Sequence, residues 1–386
     1  MSEPAGAGKA NTSERILARL AKTRSWMHQQ GLDRLFVYSY RSSMTAYWTS
    51  YTPRHSVTNA SLLVITNRDA VHITRLPLHM ATAEGAQVPI PVTCAAPNRW
   101  TVASVTDLAA TAASWLDDVG SSGANGFAAY GPEAGILRAL ETRFGSVADL
   151  STDVAEFLAV KDSAELESVR AAAKVAQDAF DVGFRALHVG GTAEDAVSAA
   201  ERVLREYGSL TWHCFAGGTD AAGRTLLQPN NTILSKGDRV FLEVIPDIES
   251  FCPEIASAIF IGEVPPRLTE ADNLVEYALG QAIAAINSHV SFADLFAVMM
   301  TPLEDAGYSR DTITRLGHGT GIDNIELPEF FASDDERLLG DGRIISIHPN
   351  LNSDEFGHLV RGGTVIVGAD DCEPLFRFPA GPLVAS

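Results

Sequence analysis

Val240–Phe260 reads VFLEVIPDIESFCPEIASAIF and carries two glutamates, Glu243 and Glu254, eleven residues apart. Val240 to Ile245 and Phe251 to Ile261 are rich in β-branched and aromatic residues, and Pro246, Asp247 and Ser250 between them favour turns. The pattern predicts a β-hairpin. With its turn centred between Ile248 and Glu249, the two glutamates face each other directly, Cβ atoms roughly 5 Å apart on one face. Like charges so placed destabilise a sheet unless a metal, a shared proton or a cation compensates. The pairing is therefore a functional site or a wrong register.

The rest of the chain is read outward from this hairpin. Upstream, Asp162 with Glu165 forms a capping-box pattern that opens a helix to about Leu187, and a second helix follows over Ala193 to Tyr207. Downstream, 268–286 and 291–307 read as helices, and 343–347 and 360–367 as strands. Helices followed by a mostly antiparallel sheet, without strict βαβ alternation, indicate α+β. The first 150 or so residues alternate helix and strand in an α/β pattern, with a helix over Ser13–Gln30 and a hairpin joined at Asn67-Arg68-Asp69. The expected organisation is a disordered tail at 1–12, an N-terminal α/β domain at 13–158 and a catalytic domain at 159–386.

Composition bounds the function. A net charge of −19 gives no basic patch for a nucleic acid or an anionic membrane, so neither is expected as a partner. No run reaches the ~18 apolar residues a membrane span needs. The four cysteines, Cys94, Cys214, Cys252 and Cys372, form no paired spacing, which suits reduced thiols and a cytoplasmic protein.

Three further features carry chemistry. His318 lies in Leu316-Gly-His-Gly-Thr-Gly, His348 follows a strand in Ile344-Ile-Ser-Ile-His-Pro, and Arg361 precedes Gly362-Gly-Thr. Taken in order, the helices, the two carboxylates eleven apart, the GHG, the strand ending in His348-Pro349 and the final Thr364-Val-Ile-Val strand resemble the creatinase/prolidase/methionine aminopeptidase family. The resemblance implies a pita-bread C-terminal domain with a smaller creatinase-type α/β N-terminal domain, and a homodimer. Metal-dependent members of that family hold two ions with two aspartates, a histidine and two glutamates. By position the aspartates fall on Glu243 and Glu254, the histidine on His318, the first glutamate on His348 and the last on or beside Gly362, while the family's substrate-contacting histidine falls on Ile325.

Four of five ligand positions are altered, which points away from a dinuclear site. The resemblance to creatinase and ectoine hydrolase then implies a metal-independent hydrolase of a C–N bond in a small non-peptide metabolite, with no cofactor. Glu254 serves there as nucleophile or cation holder, Glu243 as base, and His318 and His348 complete the catalytic set. Arg361, His213, Arg54 and Glu326 are candidate substrate-binding residues, Arg361 because its planar fork suits a carboxylate. Three alternatives stay open: a single Zn, Fe or Mn ion held by Glu254, His318 and His348 with or without Glu243, a lyase using the same groups, and a non-catalytic binding protein on the same fold.

Overall fold

The protein is described here from a computed structural model, which covers residues 12–39, 43–49, 60–77, 88–96, 98, 101–130, 134–209, 212–218, 232–353 and 357–386. Residues 1–11 of the expected N-terminal tail and Arg54 lie outside these residues, and Thr12 belongs to the first helix. Two compact units divide at Ala155 and Glu156. Among the described residues no helix is long and apolar enough to cross a membrane.

The first unit opens with α1 (Thr12–Gln29), β1 (Arg34–Ser39), α2 (Ser43–Thr49), β2 (Ser61–Thr66), β3 (Ala70–Thr74) and β4 (Val92–Cys94). It continues with α3 (Val105–Asp118), β5 (Asn125–Tyr130), α4 (Ala134–Phe144) and β6 (Ala148–Asp149), and α5 (Ser151–Ala159) leads out of it. Its six strands form one sheet in the order β4-β3-β2-β1-β5-β6. β1, β2 and β3 pair antiparallel, through the hairpin at Asn67-Arg68-Asp69, and the β1–β5, β5–β6 and β3–β4 pairs are parallel. Strands β1 and β2 are buried at every residue, in keeping with the central apolar runs Leu35–Tyr38 and Leu62–Ile65.

The second unit begins with α6 (Ser163–Ala186) and α7 (Ala193–Glu206). Asp162 and Glu165 cap α6 reciprocally, and Thr192 with Asp195 does the same for α7. Then come β7 (Trp212–Gly218), β8 (Arg239–Pro246), β9 (Ile255–Ile261), α8 (Pro266–Ala285) and α9 (Phe292–Asp305). The chain ends through β10 (Gly317–Gly319), β11 (Ile344–Ile347), β12 (Asn350–Ser353), β13 (Gly357–Val367), β14 (Cys372–Pro374) and β15 (Val384–Ala385). The main path of the sheet runs β10-β11-β13-β9-β8-β7, antiparallel throughout, with β12 and β14 on β13 and β15 parallel to β9.

Both helix pairs cover one face of this sheet. Val240, Leu242 and Val244 of β8 join α6 and α7 in one apolar core, while Ile345, Ile347, Val365 and Val367 join α8 and α9 in another. Because side chains alternate along a strand, Glu243 and Ser346 fall on the opposite face.

The central hairpin forms with a register two residues from the expected one. Glu249 and Ser250 both have positive φ, 53° and 70°, and make a tight two-residue turn closed by the Ile248–Phe251 pair. Glu243 therefore lies opposite Ala256, and Glu254 stands diagonal to it on the same face, just before β9. The turn centre moves by one residue, the register by two, and the face is preserved. Strand β9 also starts at Ile255 rather than Phe251, because Cys252 N–H donates to the Gly321 carbonyl instead of to a strand neighbour.

Arg361 is corrected as well. It pairs with Ser257 across the ladder, one residue from Gly362, and so faces the helices. Its guanidinium lies 3.0 Å from Asp272 and 3.1 Å from Glu276, both on α8, and donates to the Gly381 carbonyl. It neither neutralises the glutamates nor reaches a substrate on their face. Burial pushes the Asp272 carboxyl up to about 6 against the pull of Arg361. Arg361→Ala leaves that carboxylate buried and unpaired, and urea unfolding at pH 7 should show a loss of about 3 kcal/mol. A loss below about 0.5 kcal/mol would make this ion pair no more consequential than an exposed one.

Candidate metal centre

Two neighbouring cross-strand rows build the site. In the first, His318 of β10 pairs with Ser346 of β11, Ser346 with Thr364 of β13, and Thr364 with Glu254. The Thr364 hydroxyl accepts the Glu254 N–H at 2.8 Å, and the Thr364 N–H donates to the Glu254 carbonyl at 3.0 Å. In the second row, Gly362 pairs with Ala256, Ala256 with Glu243, and Glu243 with Phe215. His348 flanks Gly362, with its Cα 2.8 Å from where a Cβ of residue 362 would lie.

That close approach explains the glycine. A Cβ at position 362 would sit 1.8 Å from the Ile347 carbonyl oxygen, so no side chain fits there while the backbone before His348 keeps its path. The family's last carboxylate ligand is replaced by backbone proximity.

His318 Nε2 lies 3.4 Å and His348 Nε2 3.6 Å from Glu254 Oε1, and the imidazole centroids are 5.2 Å apart. Donor atoms from Glu254, His318 and His348 all lie within 4.8 Å of one another. All three residues are buried. His318 Nδ1 stands 2.8 Å from the Gly319 carbonyl, which can only accept, so Nδ1 donates there and Nε2 is the ring nitrogen turned towards Glu254. Both Glu254 oxygens and His318 Nε2 are buried without a hydrogen-bond partner.

Such atoms are expensive to bury unless something ligates them. Two imidazoles and one carboxylate converging on a point match the donor preferences of Zn, Fe(II) or Mn. The residues present thus fit one ion. They do not fit a pair: among the described residues this is the only such donor cluster, and Glu243 lies outside it.

The electrostatics divide the two glutamates. Burial pushes the Glu254 carboxyl up, but His318, His348 and Ser346 outweigh it and hold the group below the usual carboxylate range. Half-buried Glu243 is pushed well above that range by desolvation and by the charge of Glu254, with partial relief from Arg315. Desolvation lowers His348 to about 4, so its ring is neutral at pH 7 and available as a ligand.

The remaining sequence candidates are placed differently. Glu326 is a brace: its Oε2 pairs with buried Lys161 at 2.9 Å, and Oε1 accepts the N–H groups of Ile322 and Asp323, so it is not a substrate-binding residue. His213 stands in β7 opposite Ile245, and its side chain lies outside the described residues. Sequence reading missed Ser346 and Thr364, whose signal was strand alternation from His348 and Gly362. It also missed Arg315, three residues before His318.

Comparison with known proteins settles the family. A profile of metallopeptidase family M24 matches residues 167–369, 203 of the 386 residues. The chain belongs to this family. An uncharacterized peptidase of Staphylococcus haemolyticus (strain JCSC1435) is 26% identical over 218 residues, covering 55% of this chain and 62% of that protein. The dipeptidase-named protein YkvY of Bacillus subtilis (strain 168) is 26% identical over 226 residues, 58% of this chain and 62% of the relative. The chain thus spans 62% of the length of each of these curated relatives. An X-Pro aminopeptidase from Thermotoga maritima MSB8 superposes with a TM-score of 0.80 at 17% identity, covering 95% of this chain and 99% of that one.

The superposition places this M24 chain in the pita-bread fold with a two-domain layout, as the resemblance implied. Two expectations are overturned. The relatives carry peptidase and dipeptidase names and point to peptide hydrolysis, against a non-peptide metabolite as substrate. The absence of a cofactor is corrected too, because the family is a metallopeptidase family and Glu254, His318 and His348 form a fitting ligand set.

The low basicity of His348 has a measurable sign. With a folded value of about 4 and an unfolded value near 6.5, it contributes stability above pH 6.5 that is lost as pH falls from 6.5 to 4. Metal-stripped protein should lose stability across that window, and His348→Gln should flatten the limb. An unchanged profile in the variant would place the titration elsewhere.

Proposed function

We propose that this chain is a metal-dependent hydrolase of short peptides that works with one divalent ion held by Glu254, His318 and His348. The observation that carries the reading is the buried Glu254 carboxylate and His318 Nε2, without hydrogen-bond partners and aimed at the same point as His348. When bound, the ion supplies Lewis-acid polarisation of a carbonyl oxygen. The protein's own groups do the rest. His318 is oriented by the Gly319 carbonyl, and His348 is kept neutral by burial. Glu243, on the same face and outside the ligand cluster, is raised to about 8 by desolvation and the charge of Glu254, so it can exchange a proton near neutral pH. That suits it to take a proton from an attacking water and deliver it to the departing amine. A homodimer belongs to the same proposal, on the family resemblance.

The experiment combines elemental analysis with dipeptide hydrolysis. Protein reconstituted with Zn, Mn or Fe(II) should bind one ion per chain, and His348→Ala should weaken that binding by about tenfold or more. Glu243→Gln should keep the ion but lower kcat by about 100-fold or more. Two tightly held ions per chain would refute the single-ion centre, and a loaded protein inert towards a panel of dipeptides would refute the peptidase reading.

A further inference from the structure

We propose that Phe376, carried on the C-terminal strap Cys372–Ser386, is a positioning residue that fixes Glu254 for the ion. The inference rests on Glu254 being a metal ligand and adds what holds it in place from behind the sheet.

Glu254 precedes β9, so its place depends on Thr364, and the strap hangs from the same residue. Thr364 N–H donates to the Glu254 carbonyl at 3.0 Å, and the Thr364 carbonyl accepts the Leu375 N–H at 2.9 Å. The next residue is Phe376. A Cβ on Gly363 would lie 2.9 Å from Phe376 Cδ1 and 2.6 Å from the Glu254 carbonyl oxygen. Glycine at 363 thus lets the ring and the Glu254 backbone border one space with no side chain between them. Gly363 adjoins Gly362 on β13, so this contact is made on the helix face, opposite the ligand atoms.

The ring itself is held on both sides. Phe376 packs against both apolar cores, the one with α6 and α7 and the one with α8 and α9. Its ring centroid lies 5.6 Å from that of Phe378, which meets Phe180 of α6 edge-on at 5.7 Å. Beyond it the strap is fastened along its length. Arg377 N–H donates to Gln177 Oε1 at 2.9 Å, Gly381 N–H to Glu276 Oε2 at 3.0 Å, and Phe260 N–H to the Leu383 carbonyl at 2.8 Å. A flat ring wedged between two close-packed cores leaves the Glu254 backbone no room to recede from the histidines.

The test uses Zn affinity, measured by chelator competition, and the visible absorption of the Co(II)-loaded protein, which reports ligand geometry without turnover. Phe376→Ala should weaken Zn binding by about tenfold or more and shift the Co(II) bands. Phe376→Leu, which keeps the cores filled without the flat ring, should shift both in the same direction by less. Leu303→Ala opens a cavity in the core with α8 and α9, and should lower the urea midpoint while leaving the Zn Kd and the Co(II) bands as in the parent. Parent-like Kd and bands in the folded Phe376 variants overturn the proposal, as does an equal shift in Leu303→Ala. A parent protein that binds no ion would overturn the metal reading itself, and the proposal with it.

Discussion

The cross-strand row from His318 through Ser346 and Thr364 to Glu254 is the constraint on which the centre depends. It sets a buried carboxylate against two imidazoles, and hydrogen bonds on both sides of Thr364 hold Glu254 in that place although it precedes its strand. A carboxylate buried with neither oxygen hydrogen-bonded is costly in isolation, and a cation at the point where the three side chains meet would lower that cost. The ligand set and the electrostatics are two views of one packing arrangement.

The adjacent row shows how this member of the family departs from the dinuclear plan. Gly362 is empty of side chain because the Ile347 carbonyl occupies the space a Cβ would need, and His348 stands beside it. The longer Glu243 stays on the same face, outside the three-residue cluster, where desolvation and then repulsion from Glu254 raise its proton affinity. Repulsion between like charges, which would only destabilise an ordinary sheet, here drives the proton affinities of the two glutamates apart.

Support comes from behind and beside the centre. Arg361 ties the strand carrying Gly362 to α8 through Asp272 and Glu276, so the position next to the site serves the helical face. The Lys161–Glu326 pair braces the loop after His318, and Asn350 joins the Arg315 segment to His348. These polar groups are buried and committed to partners, which gives the centre a fixed surround.

Much of this was legible in the sequence. The helices, the capping box at Asp162 and the hairpin around Glu243 follow from local propensity and period, which act over a few residues. The family spacing pointed to Glu254, His318 and His348, and to the missing carboxylate at Gly362. Strand alternation would also have turned Arg361 away from the site, since it adjoins a position that faces it. What local chemistry left undecided was the turn: Glu249 and Ser250 adopt positive φ without a glycine to signal it, so the register moved by two while the face stayed the same. Only the tertiary structure decided that Glu326 is held by Lys161, 165 residues away, and that Glu254 and His318 converge with no hydrogen-bonding partner. Those outcomes depend on pairings between distant strands and on burial, and the energy of a charge in a protein is set by the groups folding brings around it.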